Sequence, residues 1–280
     1  MVVDEDVDVE ALVRGQERRP DVQRRAVGRL RRDDVKADGA LRIITLNRPD
    51  DLNAVNDNLH VGLAKIWEAL NEDTGARAAV ITGAGRAFSA GGDFNYLDAL
   101  RNDEALRQKT IKHGRDLVIG MLRCRIPVVA AVNGPAVGLG CSLAALSDIV
   151  YIAETAFFAD PHVQIGLVAA DGGPLVWGSQ ISLLQAKEFA LTGVRIKAQR
   201  AVELGLANHV VEDPVAEAIA CAKKLLELPQ QAVEATKRLM NIQLEKAVMA
   251  SLDYANLAEY VSFGTADFNK IVDGLIAKDK

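Results

Sequence analysis

The sequence predicts an α/β protein built on a largely parallel sheet. Short apolar, often β-branched runs that end at proline or glycine alternate with segments of helical periodicity, as in consecutive βα units. From about residue 210 the periodicity is helical only. With 49% hydrophobic and 25% charged residues, the 280-residue chain has the composition of a globular protein with an aliphatic core.

Four segments have the composition of strands: 40–49, 78–85, 126–134 and 148–153. Between the first two, Leu59, Leu63, Ile66 and Leu70 recur at helical spacing. The helical pattern also covers 103–124, 140–147 and 175–191, and then 216–226, 230–244 and 247–260. We therefore expect an α/β core over residues 39–210 and a helical region over residues 211–280.

Residues 1–38 differ from the rest of the chain. An acidic block from Asp4 to Glu10 precedes a basic block from Arg24 to Arg32, and no apolar core of a secretory signal is present. We interpret this segment as a charged N-terminal arm without a chemical role.

Composition excludes several classes of function. A net charge of −5 does not favour a nucleic-acid partner, and no apolar run approaches the ~20 residues of a membrane helix. The cysteines, Cys124, Cys141 and Cys221, have no zinc-site spacing and favour a reducing compartment. We expect a cytoplasmic protein with no metal site and no membrane partner.

Three glycine-rich turns stand out: "AFSAGGDF" (87–94), "NGPAVGLGCSLA" (133–144) and "AADGGP" (169–174). The second and third lead into predicted helices, whose first N–H groups are unpaired donors near partial positive charge. Such turns suit an anion or a developing oxyanion, although close backbone packing is the alternative explanation for each. Neither GxGxxG nor GxxxxGK[ST] occurs, which argues against a nucleotide loop.

Together with "TLNRPDDLNAVN" and "LTGVRIKAQRAVELGLANHVV", these turns resemble the crotonase superfamily, the enoyl-CoA hydratase/isomerase group. The resemblance covers roughly residues 40–275. It implies a ββα spiral core, C-terminal helices that cover the site and build a homotrimer or hexamer, and an acyl-CoA or related carbonyl substrate. It implies no cofactor other than the coenzyme A of the substrate.

The resemblance also assigns site residues. The two N–H groups of the oxyanion hole fall on Gly92 and Leu139, where backbone donors would stabilise an enolate oxygen. The stretch 90–94 and the turn near Leu52 and Ala54 are where the family holds coenzyme A. The predicted substrate-contacting residues are Leu52, Ala54, Ala90, Gly91, Gly92, Asp93, Phe94, Gly138, Leu139 and Pro161.

The sequence departs from the family where hydratases carry two catalytic glutamates, because Ser142 and His162 occupy those positions. A serine without a base can neither take nor deliver a proton at neutral pH, so the two-glutamate mechanism is in doubt. Asp171 follows His162 by nine residues, a spacing similar to that of 6-oxocamphor hydrolase, and Glu259 lies roughly where that enzyme has another acid. We therefore predict that Asp171 orients His162.

Structural explanations stand beside these assignments. Asp171 could cap the following helix, His162 could be a buried structural histidine, Ser142 a packed helix residue and Glu259 a surface charge. We interpret His60, His113 and His209, which have no motif around them, as solvent-facing or structural.

Three functions follow. The leading prediction is an acyl-CoA-binding enzyme that stabilises a thioester enolate, in fatty-acid or related carboxylic-acid degradation. The second is a hydrolase that cleaves the C–C bond of a β-dicarbonyl compound with His162 and Asp171. The third is a non-catalytic acyl-CoA-binding protein, against which the retained histidine and aspartate argue.

Overall fold

The computed structural model describes residues 34–278 and confirms the α/β class. Its strands are β1 (Val35–Asp38), β2 (Leu41–Leu46), β3 (Ala78–Gly83), β4 (Val128–Val132), β5 (Ala136–Val137), β6 (Ile149–Ala153), β7 (Phe157–Ala159), β8 (Ile196–Lys197) and β9 (His209–Val211). Its helices are α1 (Asp57–Glu72), α2 (Phe94–Asn102), α3 (Glu104–Arg123), α4 (Leu139–Ala145), α5 (Gly173–Gln180), α6 (Leu183–Thr192), α7 (Ala198–Leu204), α8 (Pro214–Leu226), α9 (Gln230–Met249), α10 (Leu252–Ser262) and α11 (Ala266–Lys278).

The main sheet has the order β1-β2-β3-β4-β6-β9, and a small second sheet has the order β5-β7-β8. In the main sheet only the β1–β2 pair is antiparallel among the described strands. Parallel strands end at the same edge of a sheet, so the turns that follow β3 and β4 lie side by side. The isolated bridge between Ser89 and Ala136 joins these two turns, and a second bridge, between Val55 and Gly92, joins the segment after β2 to the turn after β3.

Helices cover both faces of the main sheet, which explains why β3 and β4 are completely buried and, apart from Thr82, without polar side chains. Ala78 and Val80 face α8, whereas the alternate residues Ala79 and Ile81 belong to the core on the opposite face, which includes Trp67 of α1. The two-residue periodicity of the strands thus divides the apolar residues between two cores.

Several elements differ from the sequence prediction. The segment 175–191 forms two helices, because the chain turns at Ile181 and the Ser182 side chain accepts a hydrogen bond from the N–H of Gln185 to start α6. The sequence did not predict the short strands β1, β5, β7, β8 and β9 or the helices α2, α7 and α11. Four-residue β1 belongs to the predicted arm, whose residues 1–33 lie outside the described part of the chain.

The predicted helical region from residue 211 onward consists of α8 to α11. Of these, α10 packs against α3 and α11 against α2, so the C-terminal helices lie over the helices that follow the first glycine turn. Their predicted role in building a trimer stays a prediction. No helix within residues 34–278 combines the length and the apolar character needed to cross a membrane.

Candidate active site

A cavity of about 150 Å³ opens where the glycine turns after β3 and β4 meet. Its other walls come from α1, α2, α3, α10 and the loop after β7. Seven of the predicted substrate-contacting residues line it: Ala90, Gly91, Gly92, Phe94, Gly138, Leu139 and Pro161. The remaining lining residues are mostly apolar, including Leu97, Leu100, Leu167 and Phe263.

Glycine is required where the two turns approach each other. Gly91 has a φ of +89°, and a Cβ on it would lie 3.1 Å from the carbonyl oxygen of Val137. Gly138, with a φ of +52°, donates its N–H to Ala159 across the small sheet at 2.9 Å. These contacts bring the first turn, the second turn and the end of β7 together at the cavity.

The backbone N–H groups of Gly92 and Leu139 have no acceptor within residues 34–278. Leu139 is the first residue of α4, so its N–H points out of the helix start. Neither N–H donates a hydrogen bond to any residue that the structure describes. Both residues line the cavity, so both donors are available to a ligand.

The turn that carries Leu52 and Ala54 lies beside the cavity rather than in its wall. Leu52 accepts a hydrogen bond from the N–H of Ala90 at 3.0 Å. The guanidinium of Arg48 binds the Ala54 carbonyl and the carboxylate of Asp93, the latter at 3.0 Å. Asp93 also caps α2, so its carboxylate is engaged by the protein. Sequence reasoning missed Arg48, which ties this turn to the first glycine turn.

His162 contacts carboxylates at both ring nitrogens. Its Nδ1 lies 2.5 Å from Oδ1 of Asp160, and its Nε2 lies 3.7 Å from Oδ2 of Asp171. The short Nδ1 contact fixes the ring, because Pro161 begins a single turn of 3-10 helix that folds His162 back over Asp160. The predicted meeting of His162 and Asp171 is thus present at Nε2, and Asp160 makes a second, shorter contact at Nδ1 that was not predicted. That Asp171 orients the ring stays a prediction.

Asp171 is held by Ser142, which sequence reasoning treated as a weak catalytic candidate. The Ser142 hydroxyl donates to Oδ1 of Asp171 at 2.7 Å and accepts from the N–H of Gly173 at 2.9 Å. Ser142 is fully buried and does not line the cavity. Gly172, not Asp171, is the N-cap of α5, and no side chain caps this helix. The capping explanation for Asp171 is therefore wrong.

The electrostatics of the cluster favour bound protons. Burial alone would lower the pKa of His162, but the charges of Asp160 and Asp171 outweigh it and raise that pKa to about 10. Burial raises the pKa of Asp171, which the neighbouring His162 partly offsets. Glu259, half-buried on α10 and lining the cavity, has a pKa raised to about 8 by burial and by Asp171. At neutral pH the imidazole is therefore a cation and Glu259 mostly a neutral acid.

Asp160, His162 and Asp171 are also the described residues best placed to hold a metal, with potential ligand atoms within 4.8 Å of one another. However, the imidazole lies between the two carboxylates, and its Nδ1 is already engaged by Asp160. If His162 bound an ion, only its Nε2 would be available, and the ion would lie on the side of Asp171. The arrangement suits movement of a proton between Asp171 and His162 better than coordination by all three groups.

The three other histidines differ from one another. His209 is exposed on β9, with its ring 5.0 Å from that of Tyr151, and His113 is half-buried on α3. His60 is buried on α1, which excludes the solvent-facing interpretation and fits the structural one, and it also lines the cavity. Its position on the apolar face of α1, four residues before Ala64 and seven before Trp67, was the signal available in the sequence.

Comparisons with known proteins identify the family of the chain. The profile of the family described as enoyl-CoA hydratase/isomerase matches residues 36–278. The mitochondrial enoyl-CoA hydratase of Pongo abelii is 34% identical over 240 residues, which are 85% of this chain and 81% of that protein. The chain belongs to the enoyl-CoA hydratase/isomerase family, and it is an enzyme of that family.

Solved structures show the same relationship. A crystal structure of an enoyl-CoA hydratase/isomerase from Mycobacterium paratuberculosis is 76% identical, with a TM-score of 0.86, over 86% of this chain and 97% of that one. Another, from Xanthobacter autotrophicus Py2, is 28% identical with a TM-score of 0.79, over 88% and 92% of the two chains. The resemblance to the crotonase superfamily, including its fold, is thereby confirmed.

Proposed function

We propose that the enzyme binds an acyl-CoA thioester, holds its carbonyl oxygen with the N–H groups of Gly92 and Leu139, and moves protons with His162 and Asp171. The observation that carries this proposal is the pair of unbonded N–H groups in the cavity that also contains the His162 cluster. Backbone donors already in position stabilise an enolate oxygen as its charge develops. The N–H pair is thus the electrostatic part of the site.

The proton-transfer part replaces the two missing glutamates with an acid and a base of different kinds. In hydration, the oxygen of water bonds to the β-carbon while its proton passes to Asp171, and the imidazolium of His162 gives a proton to the α-carbon. Transfer of a proton from Asp171 to Nε2 of His162, across the 3.7 Å between them, then restores both groups. Asp160 and Ser142 act as positioning residues.

The same groups support a second function, hydrolysis of a C–C bond in a β-dicarbonyl compound. Water would bond to one carbonyl carbon, with its proton going to Asp171. The C–C bond would then break with its electron pair forming an enolate at Gly92 and Leu139, and His162 would protonate the enolate carbon. A histidine held between two carboxylates, in place of a glutamate, is the observation that favours this candidate.

One experiment separates these functions. The enzyme is incubated separately with crotonyl-CoA, a 3-enoyl-CoA and a cyclic β-diketone, and the products are followed by mass spectrometry. Gain of one water on crotonyl-CoA supports hydration, and a moved double bond at unchanged mass supports isomerisation. Ring opening of the diketone with gain of one water supports hydrolysis. Thioester binding without any turnover would instead favour the non-catalytic alternative.

We propose in addition that the enzyme is a trimer or a hexamer. Exposed apolar side chains on α10 support this, because Tyr254, Leu257 and Val261 recur at helical spacing and are 76%, 63% and 58% exposed. We propose that a second copy of this chain covers these side chains, as in the trimer or hexamer that the family resemblance implies. A cytoplasmic location also remains a proposal.

A further inference from the structure

The cavity wall has a second polar region, which the proposed chemistry does not use. Among the mostly apolar side chains that line the cavity are three polar ones outside the His162 cluster: His60 of α1, Tyr96 of α2 and Thr110 of α3. The aromatic rings of His60 and Tyr96 lie 6.3 Å apart. We refer to His60, Tyr96 and Thr110 as the distal polar cluster.

His60 is buried, neutral and incompletely hydrogen-bonded. Its residue is 6% exposed, and its Nδ1 has no hydrogen-bond partner within residues 34–278. Burial, together with nearby His113 and Lys109, lowers its pKa to about 3, so it stays uncharged at physiological pH. A buried polar atom without a partner costs free energy unless a ligand or water supplies one.

Tyr96 offers a complementary acceptor. The Thr110 hydroxyl donates to the carbonyl of Leu106 at 2.8 Å, so the 2.5 Å contact between Tyr96 and Thr110 is a bond that the phenol donates. The phenol oxygen therefore keeps a lone pair for another donor. Burial raises the pKa of Tyr96, which keeps the phenol neutral.

Space for a ligand atom exists beside the distal polar cluster. Gly114 of α3 lines the cavity, and a Cβ on it would have no heavy atom within 4 Å. Glycine in a helix interior is unfavourable relative to alanine, so keeping this position open lowers the stability of the folded protein. Alanine at this position would occupy part of that space.

We propose that the acyl part of the substrate carries a hydroxyl group that binds between His60 and Tyr96, in the space beside Gly114. Such a group accepts a hydrogen bond from the N–H at Nδ1 of the His60 imidazole and donates its own O–H to the phenol oxygen of Tyr96. This inference deepens the proposed acyl-CoA function and rests on it.

The test measures binding of saturated acyl-CoA pairs by calorimetry, so that no turnover is needed. Each pair compares an alkyl chain with an isosteric hydroxylated one, such as heptanoyl-CoA with 6-hydroxyhexanoyl-CoA, over chains of four to eight heavy atoms. In at least one pair we expect the hydroxylated member to bind about tenfold or more tightly. In an apolar cavity the alkyl member would bind more tightly, so the sign of the difference decides.

Variants locate the effect. Tyr96→Phe and His60→Phe should each reduce the ratio of the two dissociation constants toward one. Tyr96→Phe is nearly isosteric, so it still provides the test if His60→Phe folds poorly. His209→Gln, on exposed β9, should keep the ratio of the unmodified enzyme. Gly114→Ala should weaken binding of the preferred hydroxylated chain. In addition, the ¹⁵N resonances of the His60 ring should move with the hydroxylated ligand but not with its alkyl isostere.

Two results would overturn the inference in different ways. If both members of every pair bind equally, or the alkyl member binds more tightly, the distal polar cluster is not a hydroxyl site and the proposed function stands. If no acyl-CoA binds at all, the proposed function fails and the inference fails with it.

Discussion

The imidazole of His162 is held between Asp160 and Asp171, and each carboxylate has a separate task in the proposed chemistry. We expect His162→Ala and Asp171→Asn each to lower kcat by roughly 10²–10⁴-fold. The double variant should lose little more than either one, because residues that act as a unit are not additive. Steady-state rates on the substrate found by mass spectrometry provide the measurement. Losses that multiply fully in the double variant would show that the two residues act independently.

Asp160 governs the pH range in which His162 carries its proton. Because the pKa of His162 is raised to about 10, we expect the rate to fall as pH rises toward 10 and the imidazolium is lost. This raised pKa also stabilises the folded state fully below about pH 6.5, and the stabilisation is lost as pH rises through about 10. Asp160→Asn should move the alkaline limb of the pH–rate profile to lower pH.

The control for this pH shift is Asp116→Asn, which removes an exposed carboxylate that pairs only with Lys112 among the described residues. Its profile should match that of the unmodified enzyme. An alkaline limb that stays in place in Asp160→Asn would mean that His162 is not the proton donor.

The sequence indicated His162 and Asp171 because the family pattern marks their positions, but it could not show which atoms meet. Asp160 stands two residues before His162, and the two side chains meet where the chain enters the turn of 3-10 helix that begins at His162. Ser142 was recognised as a replaced glutamate, whereas its role in holding Asp171 depends on a contact across 29 residues. Spacing along a chain predicts such proximity poorly when irregular turns intervene.

At the scale of elements, the start of α4 supplies the backbone N–H of Leu139 to the proposed oxyanion hole. Proline is tolerated at the first position of a helix, so Leu139→Pro removes the N–H with little cost to α4. We expect kcat to fall by roughly 10²–10³-fold. Leu139→Ala loses the same buried side chain but keeps the N–H, and it should retain most of the rate. A folded Leu139→Pro enzyme as active as Leu139→Ala would remove Leu139 from the oxyanion hole.

The second glycine turn also has a structural requirement, at Gly140 within α4. A Cβ on Gly140 would lie 2.7 Å from Cβ of the buried Ser89 and 2.8 Å from its carbonyl oxygen. We expect Gly140→Ala to destabilise the fold by about 1–3 kcal/mol, because the two turns cannot separate without losing their bridge. Gly178→Ala in α5, where the nearest atom would be 3.8 Å away, should stabilise it by about 0.5–1 kcal/mol.

Thermal unfolding midpoints measure both changes, and they should move in opposite directions. A Gly140→Ala midpoint equal to that of the unmodified enzyme would show that the turns are not closely packed.

The long, periodic elements of this fold, such as α1, α3 and β3, could be predicted from sequence. The two- and three-residue strands could not, because their pairing depends on partners far along the chain.

At the scale of the whole molecule, the open question is what covers the apolar face of α10. Tyr254, Leu257 and Val261 form a stripe at i, i+3 and i+7, and an exposed stripe of this kind is typical of an interface between chains. The sequence predicted helices here, but periodicity marks an apolar face without showing which surface it contacts. We expect the full chain of 30.1 kDa to scatter light as a trimer of about 90 kDa, or as a hexamer of twice that mass.

A charge on this stripe should weaken the assembly, since a carboxylate at a closed interface would lose its hydration without gaining a partner. Leu257→Glu should therefore shift the mass toward that of a single chain at micromolar concentration. Gln231→Glu, which adds the same charge to an exposed position of α9, should leave the mass unchanged. If the unmodified enzyme is already a stable monomer, or if Leu257→Glu assembles as well as Gln231→Glu, the stripe on α10 is not the contact between subunits.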